Sequence, residues 1–253
     1  MSILNNAVIN YAHRGASGNY PENTMLAFAK AVEMGCDGIE TDVQMTRDGV
    51  LVLIHDERVD RTTNGSGLVK DYSYAELCRL DAGLWYGASF AGAGIPRAEE
   101  LLLLARDAGI RLNFEIKNGI VQYEFIEEKL IELIYSYGWQ DLVILSSFNH
   151  YSMVHCKEIA PSLKTGLLYM EGLYRPGLYA RTARADALHP YFYAVNEEII
   201  CEAHSEGLLV NTFTINDPAA MRRLVQTGVD GIITNYPDRL RSVMAELNCL
   251  NSN

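Results

Sequence analysis

Gly38-Ile39-Glu40-Thr41-Asp42-Val43-Gln44-Met45 decides the prediction of the fold, because an acidic or amide side chain recurs at every second position from Glu40. A period of two is typical of a β-strand, in which successive side chains point to opposite faces. Glu40 and Asp42 therefore lie on one face. A strand in a parallel sheet covered on both faces should be apolar throughout, so two acids on one face need a cation or a water-filled pocket. The alternative is a solvated edge strand whose polar face is wet.

Histidines flank this strand on both sides along the chain. Upstream, an apolar run from Ala7 ends at Ala12-His13-Arg14-Gly15, and downstream a run from Val50 ends at Leu53-Ile54-His55-Asp56. The turn chemistry of Thr46-Arg47-Asp48-Gly49 predicts a hairpin that folds the second run back along the central strand. Each histidine then follows a strand, and we expect these groups to meet at one mouth of a sheet.

The rest of the chain alternates between strand and helix patterns. Strands are predicted to begin near residues 8, 38, 111, 142, 164, 187, 209 and 231, which makes eight. Eight strands with helices between them predict an α/β fold, a closed TIM (β/α)8 barrel. The 253 residues suit one domain, 1–253. Residues 57–96 have little regular period and are predicted to be a small insertion over the C-terminal mouth of the barrel.

The composition of the chain argues against some classes of binding partner. The formal net charge of −11, from 21 basic and 32 acidic residues, argues against nucleic acid or an anionic membrane as a standing partner. The five cysteines form no zinc-binding pair, no apolar run approaches membrane-spanning length, and the N-terminus has no basic segment followed by an apolar core. We therefore expect a cytoplasmic protein without stable membrane association. The sequence does not indicate its oligomeric state.

Acidic and basic side chains at strand ends predict a site for a metal ion and a phosphate. Catalytic groups of such a barrel lie at the C-terminal ends of its strands. There Glu115 would join Glu40 and Asp42 as oxygen ligands for one divalent cation, Mg²⁺ or Ca²⁺, with Mn²⁺ also suited. An anion bridged by this cation would also meet Arg14, a bidentate phosphate partner, and Lys117, a point charge.

The histidines add acid–base chemistry to this predicted site. An imidazole titrates near neutrality, so one of two flanking histidines can remove a proton while the other donates one to a leaving oxygen. With the cation and the two basic groups, such a pair describes phosphodiester cleavage. His189 also ends a predicted strand, but the following Pro190 indicates a backbone role as readily as a ligand contact.

Several ordered motifs together resemble a known family, the glycerophosphodiester phosphodiesterases, in their bacterial cytosolic form. The matching segments are His13-Arg14-Gly15, Pro21-Glu22-Asn23-Thr24, Glu40-Thr41-Asp42-Val43, His55-Asp56, Asp60-Arg61-Thr62-Thr63-Asn64-Gly65, Glu115-Ile116-Lys117, His189-Pro190 and Gly231-Ile232-Ile233-Thr234-Asn235-Tyr236-Pro237. The resemblance implies a TIM barrel with an insertion, a divalent cation held by the three acids, and His13 with His55 as the acid–base pair.

The resemblance also implies a reaction. The substrate would be a small-molecule glycerophosphodiester, such as glycerophosphocholine or glycerophosphoethanolamine, which is hydrolysed to sn-glycerol 3-phosphate and an alcohol. Two routes stay open: attack by the glycerol 2-hydroxyl through a cyclic phosphate, or direct attack by water.

Two positions depart from the family pattern. Phe213 stands where the family commonly has a tryptophan near the glycerol, so an apolar wall is kept but an indole donor is lost. Arg97 replaces a threonine, and no role is transferred to it. Phe213 and His189 join Arg14 and Lys117 as predicted substrate contacts.

Two other functions compete with the diesterase. A lysophospholipase D-like hydrolase of lipid headgroups would need an exposed apolar approach surface and a membrane segment, neither of which the sequence indicates. A phosphate-ester binder without catalysis would not need both histidines and all three acids. His150, His155 and His204 lie on predicted helices without charged neighbours, which indicates surface or packing roles.

Overall fold

The structure of the protein is a computed structural model, and it describes residues 8–251. The strands are β1 (Ile9–His13), β2 (Gly38–Met45), β3 (Leu51–Leu53), β4 (Arg111–Ile116), β5 (Val143–Ser147), β6 (Lys164–Tyr169), β7 (Ala187–Pro190), β8 (Leu209–Thr212) and β9 (Gly231–Thr234). The helices are α1 (Met25–Glu33), α2 (Tyr74–Leu77), α3 (Ala98–Ala108), α4 (Ile126–Ser136), α5 (His150–Ile159), α6 (Pro176–Thr182), α7 (Glu197–Ser205), α8 (Pro218–Thr227) and α9 (Pro237–Asn251). Ala7, the predicted start of the first strand, lies outside the described residues.

The parallel strands form a closed barrel. β1 pairs with β2 on one side and with β9 on the other, so the ring β1-β2-β4-β5-β6-β7-β8-β9 has no free edge among the described residues. This arrangement confirms the predicted TIM barrel of eight parallel strands. β3 lies outside the ring and pairs antiparallel with β2, with Val43 opposite Leu53, which confirms the predicted hairpin.

The main core lies between the barrel and the helices around it. Outward-facing residues of the strands, such as Phe114 on β4, pack against the apolar faces of helices, such as Phe28 on α1 and Leu101 on α3, and all three are fully buried. Alternation along each strand places the other residues inside the barrel. The site-bearing residues of β2 and β4 therefore point inward because their neighbours are apolar and pack outward.

A tyrosine ring fills the base of the barrel. Tyr11 on β1 is buried between two glycines on the neighbouring strands: a Cβ at Gly38 would lie 2.7 Å from its ring, and a Cβ at Gly231 would lie 3.2 Å from it. Desolvation by burial raises the pKa of the Tyr11 hydroxyl to about 12. Both glycines are thus needed for space inside the barrel.

The sequence pattern does not predict α6. Its first residues, Pro176 and Gly177, are typical of a turn, and the helix has only seven residues. Proline is nevertheless tolerated in the first turn of a helix, where a backbone N–H has no intrahelical partner.

The segment from β3 to α3 has an apolar cluster separate from the main core. The cluster is made of Val52, Ile54, Val59, Val69, Leu77, Ala82 and Ile95. The Tyr86 hydroxyl donates to the carbonyl of Gly18 in the loop after β1, at 2.8 Å. The division into one domain with an insertion at 57–96 stays a prediction. Among the described residues, no helix has the length and apolar character needed to cross a bilayer.

Gly38→Ala is expected to destabilise the fold, because the new methyl would meet the Tyr11 ring and the carbonyl of Arg111. Overpacking of this kind costs about 1–3 kcal/mol, which urea denaturation measures directly. Gly94→Ala is the matched control, since a Cβ there meets no atom within 4 Å. Equal denaturation midpoints for Gly38→Ala and the wild type would contradict the packing argument.

Candidate active site

The loop after β1 holds its backbone in an uncommon conformation. Arg14 and Asn23 have φ angles of 55° and 54°, in the left-handed region that residues other than glycine rarely adopt. Backbone hydrogen bonds hold them there, from Arg14 N–H to the carbonyl of Glu40 at 2.7 Å and from Asn23 N–H to the carbonyl of Arg14 at 3.0 Å. The side chain of Arg14 is thereby directed toward the acids on β2.

Three buried carboxylates meet inside the mouth. Strand register places His13 beside Glu40 and Asp42 beside Glu115, and one oxygen from each of the three acids lies within 4.8 Å of the others. All three acids are buried. The predicted convergence of Glu40, Asp42 and Glu115 is what the structure shows, although a role as metal ligands is not tested by it.

Burial and neighbouring charges shift the pKa values of this carboxylate triad, Glu40, Asp42 and Glu115. Burial and the charges of Asp42 and Glu115 raise the pKa of Glu40, and burial also raises the pKa of Glu115. Burial opposes ionisation of Asp42 as well, but the positive charges of Arg14 and Lys117 lower its pKa. Oδ1 of Asp42 has no hydrogen-bond partner among the described residues. Three converging carboxylates, with an oxygen of Asp42 that accepts no hydrogen bond from the described residues, fit one hard divalent cation.

His13 is held as a neutral imidazole. Its Nδ1 lies 2.6 Å from Oδ1 of Asn235, so the Nδ1–H donates to the amide and Nε2 keeps its lone pair. Nε2 lies 3.8 Å from Glu40. Burial, aided by the charge of Arg14, lowers the pKa of His13 to about 3. Asn235 is a functional residue that sequence reasoning missed, although it lies within the matched segment 231–237.

His55 is oriented by a carboxylate. Its Nδ1 lies 2.7 Å from Oδ1 of Asp56, and its Nε2 lies 3.3 Å from Nζ of Lys117, which can only donate. Burial opposes ionisation of Asp56, but hydrogen bonds from Arg61 and His55 lower its pKa to about 2. Asp56 therefore presents a charged acceptor to the imidazole. This contact fixes the orientation of the His55 ring.

Arg14 and Lys117 each contact two acids of the site and share Asp42. Nη1 of Arg14 pairs with Glu22 at 2.9 Å and its Nε lies 3.3 Å from Asp42. Nζ of Lys117 pairs with Glu115 at 2.9 Å and lies 3.9 Å from Asp42. Arg14 and Lys117 thus flank the carboxylate triad, as their predicted role as phosphate contacts requires.

Arg61, in the segment between β3 and α3, forms ion pairs with acids near both His13 and His55. It pairs with Asp56 at 2.6 Å and with Glu22 at 2.7 Å, and Glu22 in turn pairs with Arg14. No periodicity marks Arg61 in the sequence, because it lies in an irregular segment. Its motif match was the only available signal.

Phe213 and His189 occupy different surroundings from this cluster. Phe213 follows β8 and is half-buried, with its ring edge-on to Phe148 and to Tyr191 at centroid distances of 6.0 and 5.8 Å. His189 is fully buried inside the barrel wall, where Nε2 lies 3.0 Å from Nδ2 of Asn211. Burial lowers the pKa of His189 to about 3. Their predicted roles as substrate contacts stay predictions.

One expectation about other residues is wrong. His155 and His204 do have acidic neighbours, since His155 pairs with Glu128 at 3.0 Å and His204 with Asp230 at 2.8 Å. Long-range contacts of this kind leave no pattern in the sequence. Single exposed apolar side chains also occur in the segments that follow β4, β5, β6 and β7, at Ile120, Tyr151, Tyr174 and Tyr193 respectively.

Comparisons with known proteins point to one family. Residues 13–239 match the Glycerophosphoryl diester phosphodiesterase family. The chain is 49% identical over 229 residues to a glycerophosphodiester phosphodiesterase of Caldanaerobacter subterraneus, covering 90% of this chain and 94% of that one. It is 40% identical over 240 residues to a glycerophosphodiester phosphodiesterase of Bacillus altitudinis, covering 94% and 98% of the two chains.

Solved structures agree with the sequence relatives. A phosphodiesterase from Oleispira antarctica, in complex with the product sn-glycerol-3-phosphate, superposes with a TM-score of 0.87 at 30% identity and covers 94% of this chain and 97% of its own. A glycerophosphoryl diester phosphodiesterase from Silicibacter pomeroyi gives the same TM-score and identity, with 96% and 95% of the two chains covered. From residues 13 to 239, this chain therefore belongs to the Glycerophosphoryl diester phosphodiesterase family.

Proposed function

We propose that this protein hydrolyses glycerophosphodiesters, such as glycerophosphocholine and glycerophosphoethanolamine, to sn-glycerol 3-phosphate and an alcohol. The observation that carries the proposal is the pair of oriented imidazoles, His13 and His55, on either side of three buried carboxylates and two cationic side chains. A phosphate binder without catalysis would have no use for two imidazoles that are each held in a fixed orientation beside the carboxylates.

The partners of the two histidines suggest how the acid and base roles divide. His13 donates to a neutral amide and lies beside Arg14, so it stays uncharged and can accept the proton of the attacking hydroxyl at Nε2. His55 contacts the Asp56 carboxylate, which stabilises an imidazolium, so it can donate a proton to the leaving oxygen. This division serves either attacking group, the glycerol 2-hydroxyl or water.

Glu40, Asp42 and Glu115 would hold one divalent cation, Mg²⁺, Ca²⁺ or Mn²⁺. When bound, the cation supplies Lewis acidity and positive charge against the negative charge that develops on the phosphoryl oxygens. Arg14 and Lys117 would bind those oxygens from the two sides of the triad, and Arg14 suits a bidentate contact. Phe213 would offer an apolar wall to the glycerol carbons.

Lysophospholipid hydrolysis is the second candidate, and the exposed apolar side chains near the mouth are the one feature that it could use. Assays on glycerophosphocholine, glycerophosphoethanolamine and lysophosphatidylcholine, with and without a chelator, separate the candidates. We expect chelator-sensitive release of sn-glycerol 3-phosphate from the two diesters. Turnover of lysophosphatidylcholine alone would replace the proposal, and turnover of none of the three would refute both enzymes.

His13→Ala and His55→Ala are each expected to lower kcat by about 10² or more, the usual scale for a general acid or base. His155→Ala is the matched control, because His155 lies on α5 and pairs with Glu128 away from the site. Steady-state rates on glycerophosphocholine measure the effect. Turnover within a few-fold of wild type in either site variant would refute that residue's role.

Glu40→Gln is expected to raise the concentration of Mg²⁺ or Ca²⁺ needed for half-maximal activity by at least about tenfold, the scale on which lost ligand-shell contacts weaken metal affinity. Glu33→Gln, at an exposed position paired with Lys30, is the control. Activity measured across a metal titration gives the comparison. An unchanged midpoint in Glu40→Gln would overturn the ligand assignment.

Asn235→Asp tests the state of His13 through the pH dependence of kcat/KM. Because the folded pKa of His13 lies near 3, its neutral form persists throughout the neutral and mildly acidic range. A carboxylate at position 235 would stabilise the imidazolium and raise that pKa, so activity should be lost at a higher pH as the pH falls. Asn19→Asp, exposed on the loop after β1, adds the same charge as a control. Superimposable profiles for Asn235→Asp and wild type would be the contrary result.

A further inference from the structure

A cavity of about 530 Å³ opens on the mouth side of the barrel, between the loops that follow β6 and β7. Leu173 and Tyr174 line it from the first loop, Tyr193 from the second, and Ile199 from α7. This volume is within the range of sites for small molecules. None of the residues assigned above to the diester chemistry lines it.

Two tyrosine rings make the wall of this cavity aromatic. Tyr174 is 89% exposed and Tyr193 is 79% exposed, so each of the two rings has a face open to a ligand. Tyr193 also packs against Phe192 at a centroid distance of 4.1 Å and against Tyr191 at 5.5 Å. Tyr191 contacts Phe213, so an unbroken series of rings joins the cavity to the mouth.

The cavity also has a carboxylate without a countercharge. Oε2 of Glu202 accepts a hydrogen bond from Gly177 N–H at 3.1 Å, while Oε1 is buried and has no hydrogen-bond partner within residues 8–251. Glu206, one turn further along, differs in being paired with Arg181 at 2.7 Å. A sheltered and unpaired carboxylate projects a stronger negative potential than one screened by water or by a cation.

Two further charged residues line the cavity. Glu198 adds a second acid, although an acid in the first turn of a helix also has a local reason, the helix dipole. Arg175 is the one basic residue in the lining and is exposed. With two acidic residues and one basic residue, the wall of the cavity favours cations. No contact among the described residues accounts for the buried Oε1 of Glu202.

We propose that this cavity binds an alkylammonium group, with the trimethylammonium end of a choline as the best fit. A trimethylammonium group has no N–H, so it interacts with Glu202 through charge and not through a hydrogen bond to the sheltered Oε1. It needs aromatic faces and an uncompensated negative charge nearby, which Tyr174, Tyr193 and Glu202 provide. Anions are repelled by the same carboxylates, and a neutral alcohol would gain nothing from them.

The cation has two sources: the headgroup of an intact glycerophosphodiester or the free amino alcohol. Only this part of the inference rests on the proposed function. Binding of the free amino alcohol can be measured without any turnover, so the cavity and the diesterase activity can fail independently.

The first experiment is a calorimetric titration of the full chain with choline chloride and with 3,3-dimethyl-1-butanol, its uncharged isostere. We expect choline to bind the wild type and the isostere to bind at least about fivefold more weakly, the scale of one cation–π contact. Glu202→Gln, which keeps an acceptor for Gly177, should weaken choline binding by a similar factor. Glu206→Gln, which removes the same charge outside the cavity, should not.

Tyr193→Leu is the second variant, since an exposed ring can be replaced without loss of core packing, and it should also weaken choline binding. No detectable choline binding to the wild type would overturn the proposal. So would equal affinities for choline and its isostere, or choline affinity unchanged in both cavity variants.

The second experiment identifies the source of the cation. It compares kcat/KM for glycerophosphocholine with kcat/KM for glycerophosphoglycerol, whose headgroup is uncharged, in the wild type and in Glu202→Gln. A lower ratio in the variant assigns the cavity to the headgroup of the intact diester. An unchanged ratio, together with charge-dependent choline binding, assigns it to the free alcohol.

Discussion

Mutual repulsion among three buried carboxylates is the constraint around which the mouth of this barrel is arranged. Glu40, Asp42 and Glu115 bring their oxygens within 4.8 Å of one another in a site that excludes most water. Burying like charges together is strongly unfavourable without positive charge between or beside them. Arg14 and Lys117 offset part of this cost from two sides. A divalent cation in the centre would offset the rest of the cost. The same cation would attract the phosphate of the substrate, so metal binding and phosphate binding are proposed together.

A second requirement is that each imidazole has a fixed orientation. Asn235 on the loop after β9 fixes His13, and Asp56 fixes His55. The different chemistry of these partners, a neutral amide and a carboxylate, is what separates the two histidines into a base and an acid in our proposal. Arg61 holds Asp56 and Glu22 together, so the segment over the mouth takes part in positioning groups on both sides of the site.

The two halves of the mouth differ in chemistry. Strands β1, β2 and β4 and the loops after β1, β3 and β4 carry the acids, the bases and the histidines, whereas the loops after β5 to β8 carry the aromatic residues Phe148, Tyr174, Tyr191, Tyr193 and Phe213. A phosphodiester with an alkylammonium alcohol has matching halves, one anionic and one cationic. This correspondence is the physical reason for relating the aromatic cavity to the proposed reaction.

The sequence by itself determined the barrel, the β2–β3 hairpin and the meeting of the three acids, because strand periodicity fixes which side chains share a face and parallel strands end at one mouth. It did not predict α6, whose Pro-Gly start is typical of a turn, or the acidic partners of His155 and His204. Only the tertiary structure decided the partners Asn235 and Arg61, the neutral state of His13, and the cavity containing Glu202. Those features depend on contacts between residues far apart in the chain and on burial, and neither leaves a periodic signal in the sequence.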